Sequence, residues 1–302
     1  MRMIKLKLIP LLLITVLGFF SCQAQALTPH SPLYTADGTR LRLVASAPGK
    51  NLNLLLVPGG PGMGSEYLES LAKILNIPGD IWLVDLPNNG NNLQSDVDYK
   101  EWSQYLLRAI NSLDNAVVLG HSYGGMLLLA EPKFEKQVKG LILLSTIPVS
   151  MSQTPPGVKP SYIHEPEVVK AAAEYNEQPS DGAYKTLLQD LSKYYFCKKS
   201  LSDGKKILDQ TQYNAEAFIG VGSIFMNNYK AHYIPKVPTL ILGGLEDPVA
   251  PQSWFSADSR FKKPNIIKVE IEGASHFPWV EEPKKVADAI EHFIKKNIVS
   301  SN

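Results

Sequence analysis

Short apolar runs, separated by stretches long enough to hold a helix, constrain the fold of this chain more than any other feature. The runs are continuous rather than alternating and are rich in leucine and β-branched residues. Such runs are typical of strands covered on both faces, and the long connections favour parallel pairing through helical crossovers. We therefore predict an α/β fold with a mainly parallel central sheet and flanking helices. The runs are Leu52–Val57, Ile81–Val84, Ala116–Leu119, Leu141–Leu144, Thr239–Leu242 and Ile266–Ile271.

Local signals at both ends of this pattern add a hairpin and a helix. Leu33–Val44 contains an Asp37-Gly38 pair between apolar positions, which predicts a β-hairpin ahead of the first buried strand. Near the other end, apolar residues recur at helical spacing, with acids before them and lysines after them, which predicts an amphipathic helix. Its apolar residues are Val286, Ile290, Phe293 and Ile294.

Residues 148–238 interrupt the succession of strands. The stretch has prolines at both ends and helical periodicity between them, but no run that predicts a strand. We interpret it as a helical cap inserted over the carboxyl edge of the sheet, with residues 27–147 and 239–302 forming the core. The helical patterns cover Pro166–Gln178, Ala183–Phe196 and Ala215–Tyr229.

Residues 1–26 are predicted to be a signal peptide rather than part of the fold. Cationic residues precede the apolar run Leu8–Phe20, which is too short to span a bilayer and typical of a signal-peptide core. Two processing sites are open. Cleavage after Ala26 would release a periplasmic or secreted protein, whereas cleavage before Cys22 would leave a lipid on that cysteine. We expect an exported protein whose contact with a membrane, if any, is an anchor at Cys22.

Charge and cysteine content argue against several classes of function. The formal net charge is +1 over 302 residues, which gives no reason to expect a nucleic-acid partner. The two cysteines are Cys22 and Cys197, and once the first is removed or lipidated no disulfide can form within the chain. The sequence has neither a zinc-type cluster of cysteine and histidine nor a Walker loop, so we expect no metal.

The sequence Gly120-His121-Ser122-Tyr123-Gly124 follows a predicted strand and precedes a helix-like run. It matches G-x-S-x-G, in which a serine occupies a sharp strand-to-helix turn and small residues on either side allow close packing. This context predicts that Ser122 is an exposed nucleophile. We expect the side chain of His121 to be directed away from Ser122 and to serve packing.

Two further strand ends supply candidates for a base and an acid. His276 follows the last apolar run, and Asp247 follows the run before it. The chain order serine, aspartate, histidine is expected when one sheet presents a catalytic triad. His276 would take the proton of Ser122 and return it to the leaving group, while Asp247 would orient the imidazole. Glu246 is the alternative acid; we favour Asp247 because Asp247-Pro248 sets the turn.

The glycine-rich stretch Pro58–Gly64 follows the first buried strand. Such a loop can place a backbone N–H against a developing oxyanion, and taken alone it can equally be a plain tight turn. We predict that the N–H groups of Gly60 and Tyr123 form the oxyanion hole. A triad and an oxyanion hole together need no cofactor.

With these residues assembled, the chain resembles an α/β-hydrolase from about residue 33 to residue 297. Asp85–Asn92 is similar to the D-x-R-G-x-G-x-S loop of that superfamily, with Asn88 in place of the first glycine, and asparagine tolerates a left-handed turn. Gly59–Gly62 resembles the H-G-G-P-G loop of the proline iminopeptidase group, although Pro58 replaces its histidine. That resemblance implies removal of an N-terminal residue from a peptide.

Residues 148–238 depart from the iminopeptidase pattern. Members of that group use tryptophan and glutamate there to hold the free amine of the substrate, whereas this stretch contains no tryptophan. We therefore place a serine hydrolase of carboxylic esters or amides first and a prolyl aminopeptidase second. The expected partner is a small ester, amide or short peptide; a noncatalytic ligand-binding member of the fold is the third hypothesis. The glutamates of the stretch are Glu165, Glu167, Glu174, Glu177 and Glu216.

Overall fold

Eight strands form one sheet in the part of the chain that the computed structural model describes, residues 31–47, 51–150, 164–222 and 229–300. The predicted signal peptide and Cys22 lie outside the described residues. The strands are β1 (Leu33–Tyr34), β2 (Arg40–Ser46), β3 (Leu52–Val57), β4 (Gly79–Asp85), β5 (Ala116–His121), β6 (Val138–Leu144), β7 (Thr239–Gly244) and β8 (Ile266–Ile271). Their order across the sheet is β1-β2-β4-β3-β5-β6-β7-β8.

The sheet is mainly parallel, as predicted. All pairs from β4 through β8 are parallel, while β2 pairs antiparallel with both β1 and β4. Each predicted apolar run lies within a strand, and the predicted hairpin is the β1–β2 pair. Consecutive parallel strands with covered faces bring their carboxyl ends to one edge, where the predicted site residues follow β3, β5, β7 and β8.

Helices cover both faces of the sheet, which explains why the central strands, such as β5 and β6, are largely apolar and buried. Along β3, Leu54 and Leu56 join the core on one face, with helices that follow β3 and β8. Leu55 and Val57 join the core on the other face, with helices that follow β4 and β5. The helices that flank the sheet are α1 (Glu69–Ile74), α2 (Trp102–Asn111), α3 (Tyr123–Ala130) and, beyond β8, α10 (Pro278–Glu281) and α11 (Pro283–Ile294). Among the described residues, no helix is long and apolar enough to span a membrane.

Between β6 and β7 the described residues 164–222 form helices, which we call the helical segment. They are α4 (Pro166–Glu177), α5 (Asp181–Asp190), α6 (Ser192–Tyr195), α7 (Leu201–Gln210) and α8 (Ala215–Val221); α9 (Ser253–Ala257) follows β7. The helical pattern over Ala183–Phe196 corresponds to two helices, α5 and α6, rather than one. Ser180 caps α5, so it begins at Asp181, and the Ser192 hydroxyl donates to the Gln189 carbonyl at 2.6 Å where α5 gives way to α6. Residues 223–228, late in the predicted Ala215–Tyr229 helix, lie outside the described residues.

Candidate active site

Ser122 occupies a strained turn between β5 and α3. Its backbone has φ 51° and ψ −117°, a conformation that costs a non-glycine residue about 1–3 kcal/mol. Close packing holds it there. A Cβ at Gly120 would lie 2.5 Å from the Gly125 nitrogen, and one at Gly124 would lie 2.7 Å from the Val57 carbonyl oxygen. The turn therefore needs glycine at these positions, for the steric reason that the sequence pattern indicated.

The structure brings Ser122, His276 and Asp247 into one hydrogen-bonded series. His276 Nε2 lies 3.1 Å from Ser122 Oγ, and its Nδ1 lies 2.9 Å from Asp247 Oδ2. Because a carboxylate only accepts, Nδ1 carries the proton and Nε2 is free to accept from the serine. Asp247 is buried, and its Oδ1 accepts the backbone N–H groups of Val249 and Ala250 at 2.8 and 3.0 Å. The arrangement can move a proton from Ser122 to His276.

Glu246, the alternative acid, faces a different group. It is exposed, and its carboxylate accepts the backbone N–H groups of Gly273 and Ala274, the latter at 2.9 Å. These residues precede His276 in the loop after β8. Glu246 therefore supports the loop, while the carboxylate at His276 Nδ1 belongs to Asp247.

The loop after β3 lies against both the helical segment and the turn that carries Ser122, which we call the elbow. Gly60 and Tyr123, the predicted oxyanion donors, line the same cavity as Ser122 and His276. The Tyr184 hydroxyl donates to the Pro61 carbonyl at 2.8 Å, and the Asn214 N–H donates to the Gly62 carbonyl at 2.9 Å. The loop is thus held from the side of the helices, and the donor role of Gly60 and Tyr123 stays a prediction.

A largely apolar cavity of about 260 Å³ opens beside Ser122. No lysine, arginine, aspartate or glutamate is among its described lining residues. Every acidic residue of the helical segment is exposed, and residues 151–163 and 223–228 contain no acidic residue in the sequence. The helical segment contributes Tyr184, Leu187, Leu188, Leu191, Tyr195, Leu208 and Phe218 to the lining, and the rest includes Met126, Ile147, Val249 and Phe277.

Comparison with known proteins places this site in a family. A sequence model described as the alpha/beta hydrolase family matches residues 54–289. The chain belongs to that family. Relatives of this hydrolase include a proline iminopeptidase of Saccharolobus solfataricus, 26% identical over 82% of this chain and 86% of the relative. A pimeloyl-[acyl-carrier protein] methyl ester esterase of Aeromonas hydrophila is 25% identical, over 82% of this chain and 96% of the relative.

Solved structures agree on the fold. An alpha/beta fold family hydrolase from Bacillus anthracis superimposes with a TM-score of 0.68 at 17% identity, covering 87% of this chain and 98% of the other. The family match, together with the esterase and peptidase relatives, identifies the chain as a hydrolase. The resemblance to the superfamily and to the iminopeptidase group is confirmed.

An asparagine-rich loop after β4 supports the glycine-rich loop of this hydrolase. Asn88 has φ 65°, the left-handed turn that the resemblance implied for this position. The Asn89 side chain donates to the Met63 carbonyl at 2.9 Å, and the Gly90 N–H donates to the Gly62 carbonyl at 3.0 Å. The loop after β4 therefore holds the loop after β3 by two bonds to its backbone.

His121 has polar contacts that the sequence did not reveal. Its ring packs against Phe277 and Trp279, as the packing hypothesis requires, but both nitrogens also have partners. Nδ1 lies 2.8 Å from the Tyr67 hydroxyl, and Nε2 lies 3.1 Å from the His276 carbonyl oxygen. Burial, and secondarily the nearby His276, holds the pKa of His121 well below its usual range. Nothing in the sequence around Tyr67 singles it out.

Proposed function

We propose that this hydrolase cleaves a carboxylic ester or amide through an acyl-enzyme on Ser122. The hydrogen-bonded series from Ser122 through His276 to Asp247, opening into an uncharged cavity, carries the proposal. A nucleophile, a base and an orienting carboxylate within hydrogen-bond reach are what acyl transfer requires.

In the proposed reaction Ser122 Oγ attacks the substrate carbonyl carbon as His276 Nε2 takes its proton. The carbonyl oxygen becomes an oxyanion that accepts hydrogen bonds from the N–H groups of Gly60 and Tyr123. Collapse breaks the bond to the leaving group, which receives the proton from the imidazolium. Water then repeats the sequence on the acyl-enzyme, releasing the acid and restoring the serine. Asp247 holds the tautomer and stabilises the imidazolium throughout.

We further propose that the helical segment acts as a cap that selects the acyl group. Its side chains form one wall of the cavity, and Tyr184 and Asn214 bond directly to the loop that holds Gly60. Burying an acyl chain against leucine and aromatic side chains stabilises binding by about 0.8 kcal/mol per methylene. The uncharged lining therefore favours a neutral, apolar acyl group.

A prolyl aminopeptidase is the second candidate, favoured by the iminopeptidase relatives and the GGPG sequence. Such an enzyme must hold a protonated amine near the scissile bond. Desolvating that cation without a partner is costly, and the acids of the helical segment are exposed rather than directed into the cavity. This is why we place ester hydrolysis first.

The deciding experiment compares the mature protein with Ser122→Ala on a short-chain p-nitrophenyl ester and on a prolyl arylamide. We expect turnover of the ester alone, with a loss on the order of 10⁶ in kcat for Ser122→Ala, as in the measured serine hydrolase case. Arylamide turnover that Ser122→Ala abolishes would establish the aminopeptidase instead. Full activity in Ser122→Ala with an unchanged melting curve would reject the nucleophile.

Ser145→Ala is the matched control for that substitution. Ser145 also follows a parallel strand and also has positive φ, 45°, but its buried hydroxyl has no hydrogen-bond partner among the residues that the structure describes. Removing an unpartnered hydroxyl is close to neutral. We expect Ser145→Ala to retain activity, which would separate loss of the nucleophile from general disturbance of the strand ends.

Export is also proposed, from the charged and apolar pattern of residues 1–26. Intact-mass measurement of the protein recovered from its natural host tests it. A mass consistent with a chain beginning at Leu27 supports cleavage after Ala26, and a lipid adduct on Cys22 supports an anchored form. A chain retaining residues 1–26 would reject the signal peptide.

A further inference from the structure

One tyrosine–histidine pair is bonded to three segments that hold proposed catalytic groups. The Gly59 N–H donates to the Tyr67 hydroxyl oxygen at 2.6 Å. Tyr67 is in turn hydrogen bonded to His121 Nδ1, and His121 Nε2 to the His276 carbonyl. Gly59 directly precedes the predicted oxyanion donor, His121 directly precedes the nucleophile, and the carbonyl belongs to the base itself.

The direction of every proton in this series follows from its two ends. A carbonyl oxygen only accepts, so the Nε2–H of His121 donates to His276. Nδ1 is then the unprotonated nitrogen of a neutral ring and accepts the Tyr67 hydroxyl proton. The Tyr67 oxygen in turn accepts the Gly59 N–H. Every donor in the series is satisfied in one arrangement, and a second proton on His121 would leave the Tyr67 hydroxyl without its acceptor.

The surroundings of the pair leave little room for displacement. Tyr67 is buried, and its ring lies against Phe277 and Trp279, with centroid separations of 5.6 and 6.2 Å. A Cβ built on Gly59 would lie 2.9 Å from Ser122 Cβ and 3.2 Å from His121 Nδ1. The backbone of Gly59 therefore rests directly on the elbow, and its orientation determines where the next peptide N–H, that of Gly60, is directed.

We propose that Tyr67 and His121 are positioning residues that hold the Gly60 N–H and the His276 backbone in register with Ser122. The inference rests on the proposed function, because register matters only if these groups act together on one carbonyl. Neither side chain touches the reacting atoms in this scheme. Losing the pair lets the glycine-rich loop shift relative to the elbow, and a shift of about 1 Å can cost roughly 10²-fold in rate.

The test uses Tyr67→Phe, which removes both bonds of the hydroxyl, and measures kcat and KM on the ester substrate. We expect kcat to fall by about 10- to 100-fold, below the roughly 10²- to 10³-fold loss of a whole oxyanion donor, with KM nearly unchanged. The affinity of a trifluoromethyl ketone, which forms the oxyanion, should fall by the same factor as kcat/KM. The affinity of the product acid should not change.

Two His121 variants separate the two arms of the series. Asparagine can place an acceptor near the Nδ1 position and keeps the Tyr67 bond, whereas glutamine can place a donor near Nε2 and keeps the bond to His276. We expect His121→Gln to lower kcat less than Tyr67→Phe does, because the Tyr67 oxygen can still accept the Gly59 N–H. The double variant should be no worse than Tyr67→Phe alone, which already lacks the bond between Tyr67 and His121. We expect His121→Asn, which keeps the bond to Tyr67, to lower the affinity for the ketone less than His121→Gln does.

Tyr213→Phe is the matched control. It also removes a buried tyrosine hydroxyl, whose hydrogen bond is to the Leu208 carbonyl, at 2.7 Å, within the helical segment. We expect it to lower the melting temperature without changing kcat. If Tyr67→Phe does not fold, kcat and the affinity for the ketone are measured on His121→Gln instead.

The outcomes are distinguishable. An inactive Ser122→Ala combined with a Tyr67→Phe kcat within about twofold of wild type would overturn the positioning role and leave the proposed function standing. A fall in kcat with ketone and product affinities reduced equally would also overturn it, as a general structural effect. Full activity in Ser122→Ala would instead reject the proposed function on which the inference rests.

Discussion

The carboxyl ends of the strands and the helical segment differ in where they place acidic side chains. At the strand ends, the buried carboxylate of Asp247 accepts hydrogen bonds from His276, Val249 and Ala250. In the helical segment the acids stay exposed, and the face toward the cavity is built from leucine and aromatic residues. The sheet edge can therefore hold charged groups at fixed positions. The helices provide a shaped apolar surface against which a substrate can be selected.

Hydrogen bonds join the sheet edge to the helical segment around His276, the proposed catalytic base. The His276 N–H donates to the Tyr195 carbonyl at 3.1 Å, and the Glu281 carboxylate accepts the N–H groups of both Ser275 and Cys197. Burial raises the pKa of Glu281. A single carboxylate thus connects the loop that carries His276 to the helical segment. The connection fixes the position of the cavity wall relative to His276.

The largest effect expected at the strand ends, after loss of Ser122 itself, is that of Asp247→Asn. We expect a fall in kcat of about 10⁴, because the amide can donate to His276 and favours the wrong tautomer. Glu246→Gln should change kcat only a few-fold, since its carboxylate supports a loop backbone. Steady-state kinetics on the ester, with melting curves for both variants, makes the comparison. A larger loss at Glu246 would exchange the two roles.

An intermediate effect is expected in the helical segment and should depend on the substrate. Leu188 lines the cavity, so Leu188→Phe would occupy acyl space. We expect kcat/KM for an octanoyl ester to fall by about 10-fold, within the range for pocket changes of this size, while the acetyl ester is unaffected. Leu93→Phe, at a residue that is 67% exposed, is the control. Equal losses on both esters would place the acyl group elsewhere.

The smallest effect concerns stability and pH at His121, whose ring faces Tyr67, His276, Phe277 and Trp279. Its folded-state pKa is lowered, by burial and then by His276, so below about pH 6.5 the unfolded chain binds a proton that the folded protein does not. Stability is therefore complete above that pH and lost as the pH falls, by up to about 1.4 kcal/mol per pH unit. Urea unfolding from pH 7.5 to 5 measures the slope.

His121→Gln is the control for that slope. Glutamine does not titrate in this range, so we expect the variant to be less stable at pH 7.5 but to lose less stability on acidification. Parallel slopes for the two proteins would mean that other groups account for the acid sensitivity. Agreement with the expected difference would add an equilibrium measurement to the kinetic test of the Tyr67–His121 pair.

Local patterns were sufficient wherever the physical cause is local. Ala116–Leu119 and Leu141–Leu144 lie within strands because a strand buried on both faces must be continuously apolar. Gly120 is required by the backbone of Gly124 and Gly125, which belong to the same turn. The split between α5 and α6 was missed because the hydroxyl of Ser192 competes for a helix carbonyl, a choice that periodicity does not register.

The sequence by itself determined the mainly parallel sheet, because buried apolar runs joined by long connections must pair that way, and it singled out Ser122, Asp247 and His276 as candidates because the carboxyl ends of parallel strands meet at one edge. Only the tertiary structure decided the distances from His276 to Ser122 and Asp247, the uncharged wall that excludes the acids of the helical segment, and the pairing of Tyr67 with His121. The paired side chains lie 29 to 154 residues apart in the chain, and their meeting is set by packing rather than by any local repeat.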